Sequence, residues 1–170
     1  METLILKYRQ LNLEKPISIY DTLRGLKYEI VAEFSKRGSA LKTIFKLANA
    51  EGKTLLTLSS EGISQVPSLK YSIIENDVKI GGIIGKKLFT HSEFNMNFNN
   101  EEFRLYGSKK ILFFFEIGFE ITKGNYRIAK TTKKWYKNTY QIEINEKNET
   151  IPIICLVSLL SYLLNIRQRL

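Results

Sequence analysis

The chain is 170 residues long and 44% apolar, enough to bury a sizeable core and in keeping with a single domain over 1–170. Its 26 basic against 17 acidic residues give a formal charge of +9, which favours anionic partners, yet 19 of the cations are lysine and only 7 arginine, so bidentate phosphate recognition is thinly supplied. One cysteine, Cys155, and one histidine, His91, exclude an internal disulfide and leave a zinc centre or a Ser-His-Asp arrangement short of partners.

The first segment, Met1 to Arg9, has an early acid, a short apolar run and no small-residue cleavage site, so it does not read as a secretory signal. A cytoplasmic protein is expected, peripheral at the membrane where it meets one. From there to about residue 145 the apolar pattern has period two, with turn residues every eight to twelve positions. Leu4, Leu6 and Tyr8 alternate with Ile5, Lys7 and Arg9. Ile17 and Ile19 lead into a turn at Tyr20 to Gly25, and Tyr28, Ile30, Ala32 and Phe34 come back with Glu29 and Glu33 on the opposite face.

The same hairpin recurs. Leu41–Leu47 and Thr54–Leu58 flank Asn49 to Gly52; Leu69–Ile74 and Val78–Ile84 flank Glu75-Asn76-Asp77; Phe119–Ile121 and Tyr126–Lys130 flank Thr122 to Asn125. The last two copies each continue into a lysine pair, a bulky residue and another strand. Lys86-Lys87 precedes Phe94, Met96 and Phe98, and Lys133-Lys134 precedes Tyr140, Ile142 and Ile144. Between them lie Phe103–Tyr106, a Gly107-Ser108 turn and Ile111–Ile117, where Phe113-Phe114-Phe115 is apolar on both faces.

The count is about twelve strands, more than one open layer holds comfortably, and closure into a barrel removes the exposed edges. The last run, 151–166, is apolar on every face. Asn148, Glu149 and Thr150 offer cap-type and acidic residues at its entrance, Pro152 suits its first turn, and Arg167 and Arg169 sit at the negative end of the helix dipole. At 1.5 Å per residue this run reaches about 24 Å, short of the roughly 30 Å hydrocarbon core of a bilayer. A core helix is therefore favoured over a membrane tail anchor. The fold expected is a mainly β, about twelve-stranded antiparallel closed barrel, strands over about 2–145, wrapped around a central hydrophobic helix over about 151–166.

That order resembles the tubby C-terminal-like superfamily, which includes the LURP-one-related proteins and the phospholipid scramblases. The resemblance rests on Ile17 to Asp21 with Gly25 and Tyr28-Glu29-Ile30, on Ile80 to Lys87, on Tyr126 to Ala129 with Lys133-Lys134-Trp135, on Tyr140 to Ile144, and on the terminal helix. It implies a twelve-stranded barrel around a central helix, and an association with phospholipid. Tubby's phosphoinositide-contacting residues match no positions here. The proline-rich and cysteine-rich segments of the scramblases have no counterpart either, which weighs against lipid scrambling.

The remaining motifs are structural in this reading. Gly81-Gly82-Ile83-Ile84-Gly85-Lys86-Lys87 has three residues where a phosphate loop has four, ends in lysine and lies on a strand, so its glycines mark a bulge or bend. Asp21 and Asp77, the only aspartates, fall in turns. No cofactor, metal or small-molecule substrate is expected, and the chain does not read as an enzyme. From 103 to 137 nine basic residues face only Glu116 and Glu120, so Arg127, Lys130, Lys133, Lys134 and Lys137 are the expected anion-binding face. The expected partner is an anionic phospholipid surface. The alternatives are nucleic acid on the same face, with Trp135, Tyr136 and Tyr140 stacking on bases, and a membrane-inserted, scramblase-like protein whose helix leaves the barrel.

Overall fold

A computed structural model describes the chain except for residues 8–14, 38–39, 62–68, 88–92, 108–115, 135–137 and 168–170. Alternating apolar residues form β1 (Glu2–Lys7), β2 (Ile17–Asp21), β3 (Leu26–Arg37), β4 (Ala40–Asn49), β5 (Thr54–Ser60) and β6 (Lys70–Glu75). The pattern continues through β7 (Val78–Lys87), β8 (Glu93–Phe98), β9 (Glu101–Gly107), β10 (Glu116–Lys123), β11 (Tyr126–Lys134) and β12 (Thr139–Ile144). Each strand pairs antiparallel with the next, and β1 pairs with both β2 and β12, so the twelve described strands close into a barrel. Closure leaves no unpaired edge.

The tight turns gather at one end of the barrel because antiparallel hairpins alternate direction. Asn76 and Asp77 (φ 47° and 65°) and Asn99 and Asn100 (φ 50° and 64°) take the left-handed backbone that a two-residue hairpin turn requires. Gly124 (φ 56°) serves the β10–β11 turn in the same way. The Asp21 carboxylate accepts the Gly25 N–H at 2.8 Å and closes the β2–β3 turn.

Inside the wall, Leu4, Leu6, Ile19, Ile30, Phe45, Leu47, Ile73, Ile83, Phe103, Leu105 and Ile142 form one buried cluster with the helix α1 (Thr150–Arg167). Every helical residue from Pro152 to Leu163 is buried, as a helix with no solvated stripe demands. Tyr162 fixes its far half: its ring meets Phe45 edge-on at 4.5 Å and stacks with Phe34 at 6.2 Å. Cys155 is 1% exposed, and burial pushes its thiol up to about 12.

The helix enters at the turn end, through a single 3-10 turn over Lys147–Glu149. Lys123 binds Glu101 (2.8 Å) and Glu149 together, fastening that entrance to β9 and β10, and the two carboxylates hold its ammonium pKa well above the ordinary lysine value. Thr150 does not cap the helix as expected. Its hydroxyl donates to the Lys147 carbonyl (2.7 Å) and lies 3.3 Å from the Glu2 carboxylate, tying the helix start to β1.

Two further details depart from the sequence reading. Ile117 and Phe119 belong to one strand, β10, rather than to two. Residues 111–115, including the Phe113-Phe114-Phe115 run, lie outside the described residues. The glycines of β7 do lie on a strand: its register shifts against β6 and again near Gly85, where a Cβ would stand 2.8 Å from the Phe94 ring. Wall and filling support one another, so Leu160→Ala is expected to cost about 2–5 kcal/mol. The loss is read as a lower denaturant midpoint by far-UV circular dichroism, with m unchanged.

Candidate anion-binding surface

In a strand, residues three apart point to opposite faces unless a bulge intervenes. β11 shows both cases. A register shift opposite Ile121/Thr122 lets Ile128 and Ala129 both face inward, which returns Arg127 and Lys130 to the same outer side. Lys133, three residues further, is inside at 4% exposure, with its ammonium 5.5 Å from the Tyr140 ring centre. Lys134 ends the strand opposite Glu116, and Lys137 lies outside the described residues. Trp135, Tyr136 and His91 lie outside them too, and Tyr140 is fully buried, so it offers no ring to a nucleic-acid base.

The outer pair is balanced by acids. Arg127 lies 3.4 Å from Glu120, which also accepts the Tyr106 hydroxyl at 3.0 Å. Lys130 sits in register between Glu120 on β10 and Glu143 on β12. The two outward cations of β11 are thus answered by acids from neighbouring strands.

Positive charge gathers instead at one rim. At the end opposite the tight turns, the last two positions of each strand carry Lys7, Lys36, Arg37, Lys70, Lys86, Lys87, Lys134 and the inward Lys133, against only Glu93 and Glu116. At the turn end the same positions carry Glu2, Asp21, Glu75, Glu101, Glu102 and Glu143 against Lys27, Lys79, Lys123 and Arg127. Lys7, Lys70 and Lys86 are exposed at the basic rim, as are Lys15 just before β2 and Lys42 near the start of β4. Lys86 is shared with Glu93 at 3.4 Å, an exposed contact of small energetic weight. The helix also ends at this rim, where its negative dipole end favours nearby cations. Among the described residues no group of three or more His, Cys, Asp or Glu side chains is placed to hold a metal ion.

No family model and no curated protein matches the chain. An X-ray structure of a protein from Arabidopsis thaliana is similar in fold, with a TM-score of 0.57 and 12% sequence identity, over 98% of this chain and 92% of that chain. A likeness at that identity establishes a shared architecture across nearly the whole chain. Among the described residues no helix is long and apolar enough to cross a membrane.

Lys133 yields a stability prediction with a definite sign. Burial disfavours its ammonium and lowers its pKa. The unfolded chain then holds this proton more tightly than the folded one, so the group costs stability at neutral pH. The cost disappears as pH rises through the lowered folded value toward the ordinary lysine value. Lys133→Met is expected to raise the urea midpoint at neutral pH, and its advantage over the parent should shrink as pH is raised. Parallel urea titrations of the two proteins across that range check it.

Proposed function

We propose that this chain is a non-enzymatic barrel of the tubby-like kind that docks reversibly on anionic phospholipid surfaces, with its basic rim as the contact face. The observation that carries this reading is the unequal distribution of charge between the two ends. The side face at Arg127 and Lys130 is answered by Glu120 and Glu143, whereas among the described residues of the rim only Glu61, beside Lys70, joins Glu93 and Glu116 against the cations. Lysine suits such a role: a strongly hydrated point charge on a flexible stem is drawn to a negative surface without needing a fixed partner geometry. The shared architecture with the Arabidopsis protein and the order of the sequence motifs support the superfamily assignment. The Glu120 and Glu143 answer to the β11 cations and the burial of Tyr140 favour lipid over nucleic acid.

A basic residue close to an anionic leaflet contributes about 1 kcal/mol, and the attraction fades within a Debye length of roughly 8–10 Å. Reversing Lys15, Lys42 and Lys70 together is therefore expected to lower vesicle affinity by at least about a hundredfold. Sedimentation with phosphatidylcholine vesicles, with and without phosphatidylserine, reads the effect. The parent should pellet only with the anionic vesicles and be released by salt, and reversal of Lys53 and Lys147 at the turn end should leave it bound. Equal absence from both pellets, or salt-sensitive retardation of oligonucleotides without vesicle binding, would overturn the reading.

A further inference from the structure

On the outer wall of β6–β9 a hollow of about 530 Å³ opens where a side chain is missing. Gly82 faces outward there, in register between Ser72 on β6 and Asn97 on β8. With no side chain at that point, the backbone of β7 forms the floor. The volume falls within the range of small-molecule sites, about 300–1,000 Å³.

The two banks of the hollow differ. On the β6 side the polar groups are already joined: Glu61 accepts hydrogen bonds from Ser72 and, at 2.8 Å, from Lys79, which hold its carboxyl below the usual carboxylate range. On the β8–β9 side, Asn95 stands opposite Arg104 and Asn97 opposite Glu102. Among the described residues none of these four side chains has a hydrogen-bond or ionic partner, and the Asn95 amide oxygen is sealed from water without a donor. An amide oxygen in that condition costs stability until a donor reaches it. Beside them Ile84, 50% exposed, presents an apolar surface directly across from Asn95.

The chemistry of the lining selects its occupant. Glu61 and Glu102 against Lys79 and Arg104 sum to zero charge, so the lining has no net attraction for a phosphate or any polyanion. What remains are two primary amides, a guanidinium and a carboxylate, a set that offers paired donors and acceptors in planar arrangements. Adjacent hydroxyls, each donating one hydrogen bond and accepting two, complement such a set, and the C–H face of a sugar ring complements Ile84. We infer that this hollow is a binding site for a small, uncharged, hydroxyl-rich molecule of the mono- or disaccharide class. The inference is independent of lipid docking, because none of its residues lies among the cations of the basic rim.

The experiment is a ¹H–¹⁵N NMR titration of the labelled chain with D-glucose, D-galactose, maltose and trehalose, with inorganic phosphate as the charged comparator. At least one sugar is expected to give saturable shifts concentrated in the amides of 81–84, 95–97 and 102–104. Arg104→Ala and Asn97→Ala, both at exposed positions, should each weaken that response by about tenfold while leaving the spectrum dispersed and vesicle binding intact. The inference is overturned by the absence of saturable shifts with all four sugars. It is equally overturned by a sugar response that survives both substitutions, or by phosphate moving the same amides at lower concentration.

Discussion

The structure depends on one mutual requirement. A twelve-stranded wall is too wide for its own inward side chains to fill, and a helix that is apolar all round has no face to give to water. Each removes the other's unfavourable surface, and neither is stable in the shape it has without its counterpart. The polar contacts at the helix entrance are consistent with that division of labour. Lys123 bound to Glu101 and Glu149, and the buried Thr150 beside Glu2, fix where the helix begins relative to the strands. Burial then carries the stability, from Pro152 onward.

The hairpin arrangement also accounts for the uneven charge. Antiparallel strands joined by tight turns send all those turns to one end, and the residues beside them are the small polar and acidic types that left-handed or Asx-type backbone favours. Asp21, Asn76, Asp77, Asn99 and Asn100 are there for that reason. The lysine pairs Lys86-Lys87 and Lys133-Lys134 finish strands that run the other way, so they arrive together at the opposite rim. Positive charge spread along the sequence thus becomes a collar around one end of a cylinder.

The fold is legible because its two periodicities dominate: alternation in the strands and apolar residues on every face of the helix. Arg127, Lys130 and Lys133 were harder to place because strand parity is unforgiving. A three-residue spacing puts Lys133 inside, while the bulge opposite Ile121/Thr122 keeps Arg127 and Lys130 on one side, and a bulge is not visible in a residue pattern. The partners of Arg127 and Lys130 escaped for a related reason, since Glu120 and Glu143 reach them only through register. The hollow over Gly82 left a fainter trace. Its glycines belong to a strand, as their sequence context indicates, but the gap one of them leaves on the outer surface becomes visible only when Asn95, Asn97, Glu102 and Arg104 are set beside it.

The position of α1 in the chain bears on how the molecule is made. During synthesis all twelve strands leave the ribosome before the segment that fills them, and β1 must wait for β12 before the ring can shut. Until then the growing polypeptide carries a lining of leucine, isoleucine and phenylalanine with nothing to cover it, the condition under which nascent chains associate wrongly or recruit chaperones. Closure of the barrel accordingly waits on a segment made after its whole wall, which acts as the keystone.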